Sequence, residues 1–388
     1  MQKKIVFLLI CMLCLMPMTG FAQQQQQSID LAQNAKSAVL LDVDTGTVIY
    51  EKNSHEKLPP ASITKVMTML LIMEALDRGD IKFTDKVRTS EFAASMGGSQ
   101  IFLEPGEMMT VEEMLKGIAV ASGNDASVAM AEHLAGTENV FVDKMNKRAE
   151  ELGLKDTHFS NTNGLPIENH YSSAYDIAQI SRELLKHEGI TKFTSIYQDY
   201  LRKDSNRPFW LVNTNKLVRF YPGADGLKTG YTAEAKFCLS ATAKRDNMRV
   251  IAVVMGEPNS KTRNQEITQM FDYAFSQYQS HPLVQKGQIM AQTTVNKGIV
   301  SQVNLVAPHA FGILSKKGEK AADYDKEIIV NPNITAPVKK GDVLGQLVIK
   351  KQGNEITKLN LIAENNIEKA TWWDMMRKSM KSMILGFE

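Results

Sequence analysis

The sequence predicts an α/β (α+β) domain with helices around an antiparallel sheet, followed by a small all-β domain and a terminal amphipathic helix. Three observations carry this. The stretch from Ser62 to Leu76 is apolar nearly all the way round, as a buried helix requires. Lys236–Ala243 and Arg249–Met255 alternate with a period of two, as paired strands do. Beyond His281-Pro282 the chain changes to short alternating runs separated by Gly, Pro and Asn, the pattern of all-β structure.

The N-terminus speaks to compartment. Lys3 and Lys4 precede an apolar run from Ile5 to Met16, and Gly20-Phe21-Ala22 follows with small residues, the order of a secretory signal peptide over residues 1–22. The run is shorter than the roughly 20 apolar residues of a spanning helix. Cys11 and Cys14 lie inside it rather than after it, which argues against lipidation, and cleavage leaves Cys238 alone with no internal disulfide. Stability must then come from packed cores, and a chain of 388 residues has room for two. The formal charge of +2 is accounted for by Lys3 and Lys4, so the mature chain has no basic excess and nucleic acid is not an expected partner.

Residues 23–36, with five glutamines and then Ser28, read as a disordered leader. The main domain spans 37–280. Ala38–Leu41, the turn residues Asp44-Thr45-Gly46 and Val48–Tyr50 form a hairpin pattern, and the buried helix follows Pro59-Pro60. Helical patterns at about Val111–Val120 and Ala126–Leu134 flank Ser122-Gly123-Asn124, and Glu266–Tyr278 is helical again. Residues 281–366 carry the β-rich runs Gln302–Val306, Glu327–Val330, Val343–Ile349 and Ile356–Ile362. In 367–388 the residues Trp372, Trp373, Met376, Met380, Met383, Ile384 and Phe387 fall on one helical face, with Asp374, Arg377, Lys378 and Lys381 on the other. A basic amphipathic helix with tandem Trp is suited to a membrane interface, although it could instead dock on its own domain.

Acyl transfer needs a nucleophile, an adjacent base, donors for the oxyanion and a grip on the substrate. Serine and lysine stand three apart twice, at Ser54–Lys57 and Ser62–Lys65. The first lies in a polar connection. The second opens the buried helix, where i, i+3 spacing puts both side chains on one face and burial disfavours a charged lysine. The plain alternative makes Ser62 a cap and Lys65 a surface residue. Ser122-Gly123-Asn124 is either a simple turn or a proton relay (Ser122) beside a substrate clamp (Asn124). Lys228-Thr229-Gly230, then Tyr231, is either an ordinary hairpin or an edge where glycine admits an extended peptide, with Lys228 and Thr229 receiving a carboxylate.

These three elements, in this order, resemble the penicillin-binding proteins and serine β-lactamases. The closest resemblance is to the low-molecular-mass D-alanyl-D-alanine carboxypeptidases. It includes Pro59-Pro60-Ala61, Thr157–Phe159, Asn161–Leu165 and Asp225-Gly226, and it runs from about Ser37 to the C-terminus. It implies a β-lactamase/transpeptidase-like catalytic domain that removes the terminal D-alanine from peptidoglycan stem pentapeptides. Ser62 would be acylated with Lys65 as base, and Ser122 would pass a proton to the leaving D-Ala. The backbone N–H groups of Ser62 and Tyr231 would form the oxyanion hole. Asn124, Lys228, Thr229 and Gly230 would hold substrate. β-Lactams would be covalent inhibitors, and the protein would sit on the outer face of the cytoplasmic membrane, held peripherally by its C-terminal helix. The family often adds an arginine before the third motif; Asn213-Thr214-Asn215 contains none, and the register of Arg219 leaves it unassigned.

Rival readings are a β-lactamase, a metal-dependent carboxypeptidase and a non-catalytic penicillin-binding envelope protein. Thr157–Leu165 lacks the glutamate of the common lactamase form. The seven histidines show no HExxH or similar spacing, so neither metal nor other cofactor is expected.

Overall fold

A computed structural model describes residues 29–377, apart from 188, 321, 322 and 375. The expected signal peptide and the far half of the terminal helix lie outside the described residues.

The larger part is built on five antiparallel strands: β1 (Ser37–Asp42), β2 (Val48–Lys52), β3 (Ala224–Thr232), β4 (Lys236–Arg245) and β5 (Met248–Glu257), in the order β2-β1-β5-β4-β3. Alternate residues of a strand point to opposite faces. Thus Val39 and Leu41 of β1 join one core with helix α1 (Lys65–Arg78), while Ala38 and Leu40 join a second core with helix α6 (Ser260–Gln277). With both faces covered, β4 and β5 are buried along their middles, and the two polar residues this buries in β4, Ser240 and Thr242, are hydrogen-bonded to Ser181 Oγ and Val250 O. β3 is the edge strand of this sheet among the described residues, which bears on the site.

The helices on the first face are α1, α2 (Val111–Lys116), α3 (Asn124–Ala135), α4 (Glu138–Glu151) and α5 (Ala174–Leu184). α1 is buried on most sides and stops at Gly79, whose φ of +78° is a conformation glycine reaches without strain. α6 begins earlier than its periodicity suggested because Asn259 caps it, accepting from Thr262 N at 2.8 Å.

The leader expectation needs correction for residues 31–36. Leu31, Ala32 and Ala35 are buried in the α6 core. Glu266 of α6 accepts from Asn34 N and Nδ2 at 2.9 and 2.7 Å. Apolar burial and satisfied backbone groups give this short segment the order that the glutamine run alone denied it.

The β-rich part starts at Tyr278, ahead of the boundary expected at His281. Strand β6 (Tyr278–Val284) pairs with β9 (Phe311–Lys316). β7 (Ile289–Thr294), β8 (Gln302–Val306), β10 (Tyr324–Val330), β11 (Val343–Lys351) and β12 (Asn354–Ala363) make a sheet ordered β7-β8-β12-β11-β10. Leu305, Ile313, Leu347 and Leu361 form its own core. Gly312 N donates to Asp44 Oδ2 at 2.9 Å, tying the two parts together.

Candidate active site

Ser62 lies in a single 3-10 turn, Ala61–Thr64, that feeds directly into α1; its side chain caps nothing. Lys65, the first residue of α1, is fully buried. Its Nζ lies 3.1 Å from Ser62 Oγ, 2.6 Å from Asn124 Oδ1 and 2.7 Å from the Asn163 carbonyl oxygen. Burial, and then the charge of nearby Lys228, hold the Lys65 amine well below the ordinary lysine range, against an opposing pull from Asp125. The alternatives of a helix-capping serine and a surface lysine are thereby removed.

Ser122 ends a widened turn, Gly117–Ala121, in a left-handed conformation with φ +65°. This backbone region is sparsely used by residues other than glycine and is found where function fixes geometry. The Ser122 Oγ is buried and has no hydrogen-bond partner among the described residues. Asn124 opens α3, and its Nδ2 donates to Gly97 O at 2.6 Å. Asp125 accepts from Ile101 N and Leu103 N, which fastens the 97–103 loop beside this motif.

Lys228, Thr229, Gly230 and Tyr231 lie on β3, in register with Ser240, Leu239, Cys238 and Phe237 of β4. Lys228 is buried rather than exposed, and burial followed by the Arg263 charge brings its pKa down to about 7. Thr229 Oγ1 is 2.6 Å from Thr214 Oγ1. At Gly230 an added Cβ would stand 2.9 Å from Pro60 O and 3.1 Å from Ser62 N, so glycine is what lets β3 press against the serine turn.

The eight residues singled out in the sequence therefore converge: Ser62, Lys65 and Asn124 by hydrogen-bond distance, Gly230 by contact with the serine turn, and the rest by adjacency along the Ser122 turn and β3. Residues 21–259 match the family described as D-alanyl-D-alanine carboxypeptidase, and residues 278–369 match the C-terminal domain of penicillin-binding protein 5. The chain belongs to the D-alanyl-D-alanine carboxypeptidase family. It is 58% identical over 363 residues to D-alanyl-D-alanine carboxypeptidase DacF of Bacillus subtilis (strain 168), covering 93% of each chain. It is 32% identical to DacC of Escherichia coli (strain K12), covering 92% of this chain and 91% of that one. Penicillin-binding protein 5 from Haemophilus influenzae superposes with a TM-score of 0.67 at 32% identity, covering 87% of this chain and 98% of that one.

Several residues of this carboxypeptidase-family site carried no assigned role in the sequence. Asn163 reaches Lys65 through its backbone carbonyl, so the segment that would hold a lactamase glutamate supplies a neutral acceptor instead. The Asn163-Gly164 turn pattern was the available signal. His170 Nδ1 accepts from Ser160 N at 2.9 Å, which leaves its Nε2 to donate to Thr64 Oγ1 at 2.8 Å, and Thr64 in turn donates to Ala61 O. Burial lowers the His170 pKa to about 4 and keeps the ring neutral. This chain of hydrogen bonds braces the serine turn from below. Arg219, unassigned in the sequence, stacks 4.8 Å from the Tyr197 ring centroid, while Arg249 grips Asp225 with two 2.7 Å bonds and steadies the start of β3.

Proposed function

We propose that this protein releases the terminal D-alanine of peptidoglycan stem pentapeptides through an acyl-enzyme on Ser62. The observation that carries the reading is the set of Lys65 partners. A neutral amine has two N–H bonds and one lone pair. Asn124 Oδ1 and Asn163 O can only accept, so they take the two N–H bonds and the lone pair is left facing the Ser62 hydroxyl. A buried, depressed lysine is thus poised as a general base.

Ser62 Oγ then adds to the penultimate D-Ala carbonyl carbon as its proton passes to Lys65. The N–H groups of Ser62 and Tyr231 serve the oxyanion, a reading supported by the close approach of Gly230 to Ser62 N. Collapse breaks the C–N bond, and the departing amine receives the proton from Lys65 by way of the unpartnered Ser122 Oγ. Water adds to the ester with Lys65 again as base, and Ser62 recovers its proton as it leaves. Lys228 and Thr229 receive the terminal carboxylate, and Asn124, with one N–H on Gly97, has its second for the substrate backbone. β-Lactams acylate the same oxygen.

The same reading places the protein outside the cytoplasmic membrane after loss of residues 1–22, and holds it there peripherally by the C-terminal helix. Supporting this, Ala370 N still bonds to Lys297 O, and Thr371 and Asp374 then start a new helix reciprocally. Trp372 and Trp373, in that helix, are 63% and 62% exposed.

Mass spectrometry of a muropeptide pentapeptide incubated with the protein tests the activity: one alanine should be lost, and a Ser62→Ala variant should lose none. An unchanged mass with active-site labelling intact would leave a penicillin-binding protein without this activity.

A further inference from the structure

We infer that Glu138, at the start of α4, and Asn161 are positioning residues for the general base: together they aim the Asn163 carbonyl at Lys65 and so fix where the Lys65 lone pair points. This rests on the acyl-enzyme reading and deepens it.

A trans peptide is planar, and its carbonyl oxygen and the following N–H point in opposite directions. Asn163 O, which accepts from Lys65 Nζ at 2.7 Å, shares its plane with Gly164 N. Gly164 N donates to Asn161 Oδ1 at 2.7 Å, and Asn163 N donates to the same oxygen at 3.2 Å. Holding the N–H end of the plane aims its oxygen at the lysine. Asn161 Nδ2 closes the turn by donating to Leu165 O at 2.8 Å.

Between Asn161 and Asn163 stands Thr162, which is fully buried. Glu138 Oε1 accepts from Thr162 N at 3.0 Å and from Thr162 Oγ1 at 2.7 Å, while Thr162 O accepts from Thr68 Oγ1 at 2.6 Å. Thr68 lies on α1 three residues after Lys65, so the loop is held in register with the helix that carries the base. Hydrogen bonds to a carboxylate are roughly twice as strong as neutral ones, and the first turn of α4, capped by Thr137, favours the negative charge of Glu138. Glu138 makes no ion pair among the described residues, which commits its carboxylate to Thr162.

The charged Lys65 amine has three acceptors, Ser62 Oγ, Asn124 Oδ1 and Asn163 O. Displacing the Asn163 carbonyl removes one of them, which disfavours the ammonium and lowers the Lys65 pKa further. It also frees an N–H of the neutral amine to turn toward Ser62 in place of the lone pair. Lys65 would then lose its proton more easily and serve worse as a base.

The test is the rate of acylation of the full-length protein by a fluorescent penicillin as a function of pH, with a melting curve for each variant. Glu138→Ala and Asn161→Ala should each lower the plateau rate by about ten- to a hundredfold. In both, the acid limb should move to lower pH by about half a pH unit or more, with Lys228 and Asp125, the charged groups that face Lys65, unchanged. Glu138→Gln keeps an oxygen that can accept both Thr162 bonds, so it should recover most of the rate and return the limb to its wild-type position. Glu150→Ala, exposed near the far end of α4, should change neither. If Glu138→Ala melts below the assay temperature, Asn161→Ala decides alone, since Asn161 is half-buried and lies outside α4. Wild-type rate and limb in the folded variants would overturn the assignment. So would a slowed variant whose limb has not moved, because lost stability slows the reaction without changing the base. A wild type that takes no label would instead sink the acyl-enzyme reading, and this one with it.

Discussion

Lys65 Nζ and Asn124 Oδ1 lie 2.6 Å apart, both residues are buried, and the contact joins motifs 59 positions apart in the chain. With Asn163 O it fixes where the Lys65 lone pair can point. Lys65→Arg should therefore lower the rate of Ser62 acylation by at least about a hundredfold, because a guanidinium stays protonated and cannot act as base. Stopped-flow labelling with a fluorescent penicillin measures this. In the wild type, acylation should fall as pH drops through the depressed Lys65 pKa; a flat acid limb together with normal labelling of the arginine variant would remove Lys65 from the role.

The two serine–lysine pairs should separate cleanly. Ser62→Ala should abolish both labelling and D-alanine release. Ser54 is buried and donates to Glu51 at 2.6 Å, so Ser54→Ala should cost about 1 kcal/mol of stability and keep the label. Label on the Ser62 variant would mean the nucleophile lies elsewhere.

Lys228, proposed to receive the terminal carboxylate, is costly to bury. Its pKa falls from 10.5 to about 7 on folding. Below that value both states carry the proton and folding bears the full desolvation cost. Between 7 and 10.5 the unfolded chain holds a proton that the folded chain has released, so stability rises with pH. Lys228→Met should gain about 1–4 kcal/mol below pH 7, with the gain shrinking toward pH 10.5, and should lose D-alanine release. Urea titrations across that range decide it: a variant less stable at the acid end contradicts the buried-charge account.

Gly164 has a φ of +87°, and an added Cβ would sit 1.8 Å from Ala61 O. Gly164→Ala must push the Asn163 carbonyl away from Lys65 or the serine turn away from β3. A loss of about 3 kcal/mol or more, with slowed acylation, is expected in paired melting and labelling measurements. Wild-type values for both would show that the loop is free to shift.

Removing residues from Thr371 onward should release protein from membranes with little change in the rate on a small D-Ala-D-Ala peptide. Arg377, Lys378 and Lys381 would each contribute about 1 kcal/mol at an anionic surface, beside the tandem tryptophans. Flotation with anionic vesicles, alongside a melting curve, reads the outcome. A truncated protein that still floats, or that unfolds, would make the helix a packed part of the β-rich domain.

The sequence by itself determined the strands and helices whose periodicity is strong: the Lys236 and Arg249 strands, the buried helix after Pro60, and the runs beyond Pro282. It also named the serine, the lysine and the two later motifs, because each is a short local pattern of residue types. What it could not determine depends on groups without a side-chain signature or on partners far along the chain. The Asn163 carbonyl is a backbone atom that any residue possesses, and its value arises from Gly164 folding against Ala61. Residues 31–36 fell in the leader because the glutamine run beside them dominates the local pattern, and what orders them includes Glu266, 232 positions from Asn34, which accepts from the amides of Asn34 and Ala35. The depressed pKa values of Lys65 and Lys228 come from desolvation, which exists only once α1, α3 and β3 close over them. Local pattern chose the chemical groups; tertiary packing set their charge and the direction in which each one points.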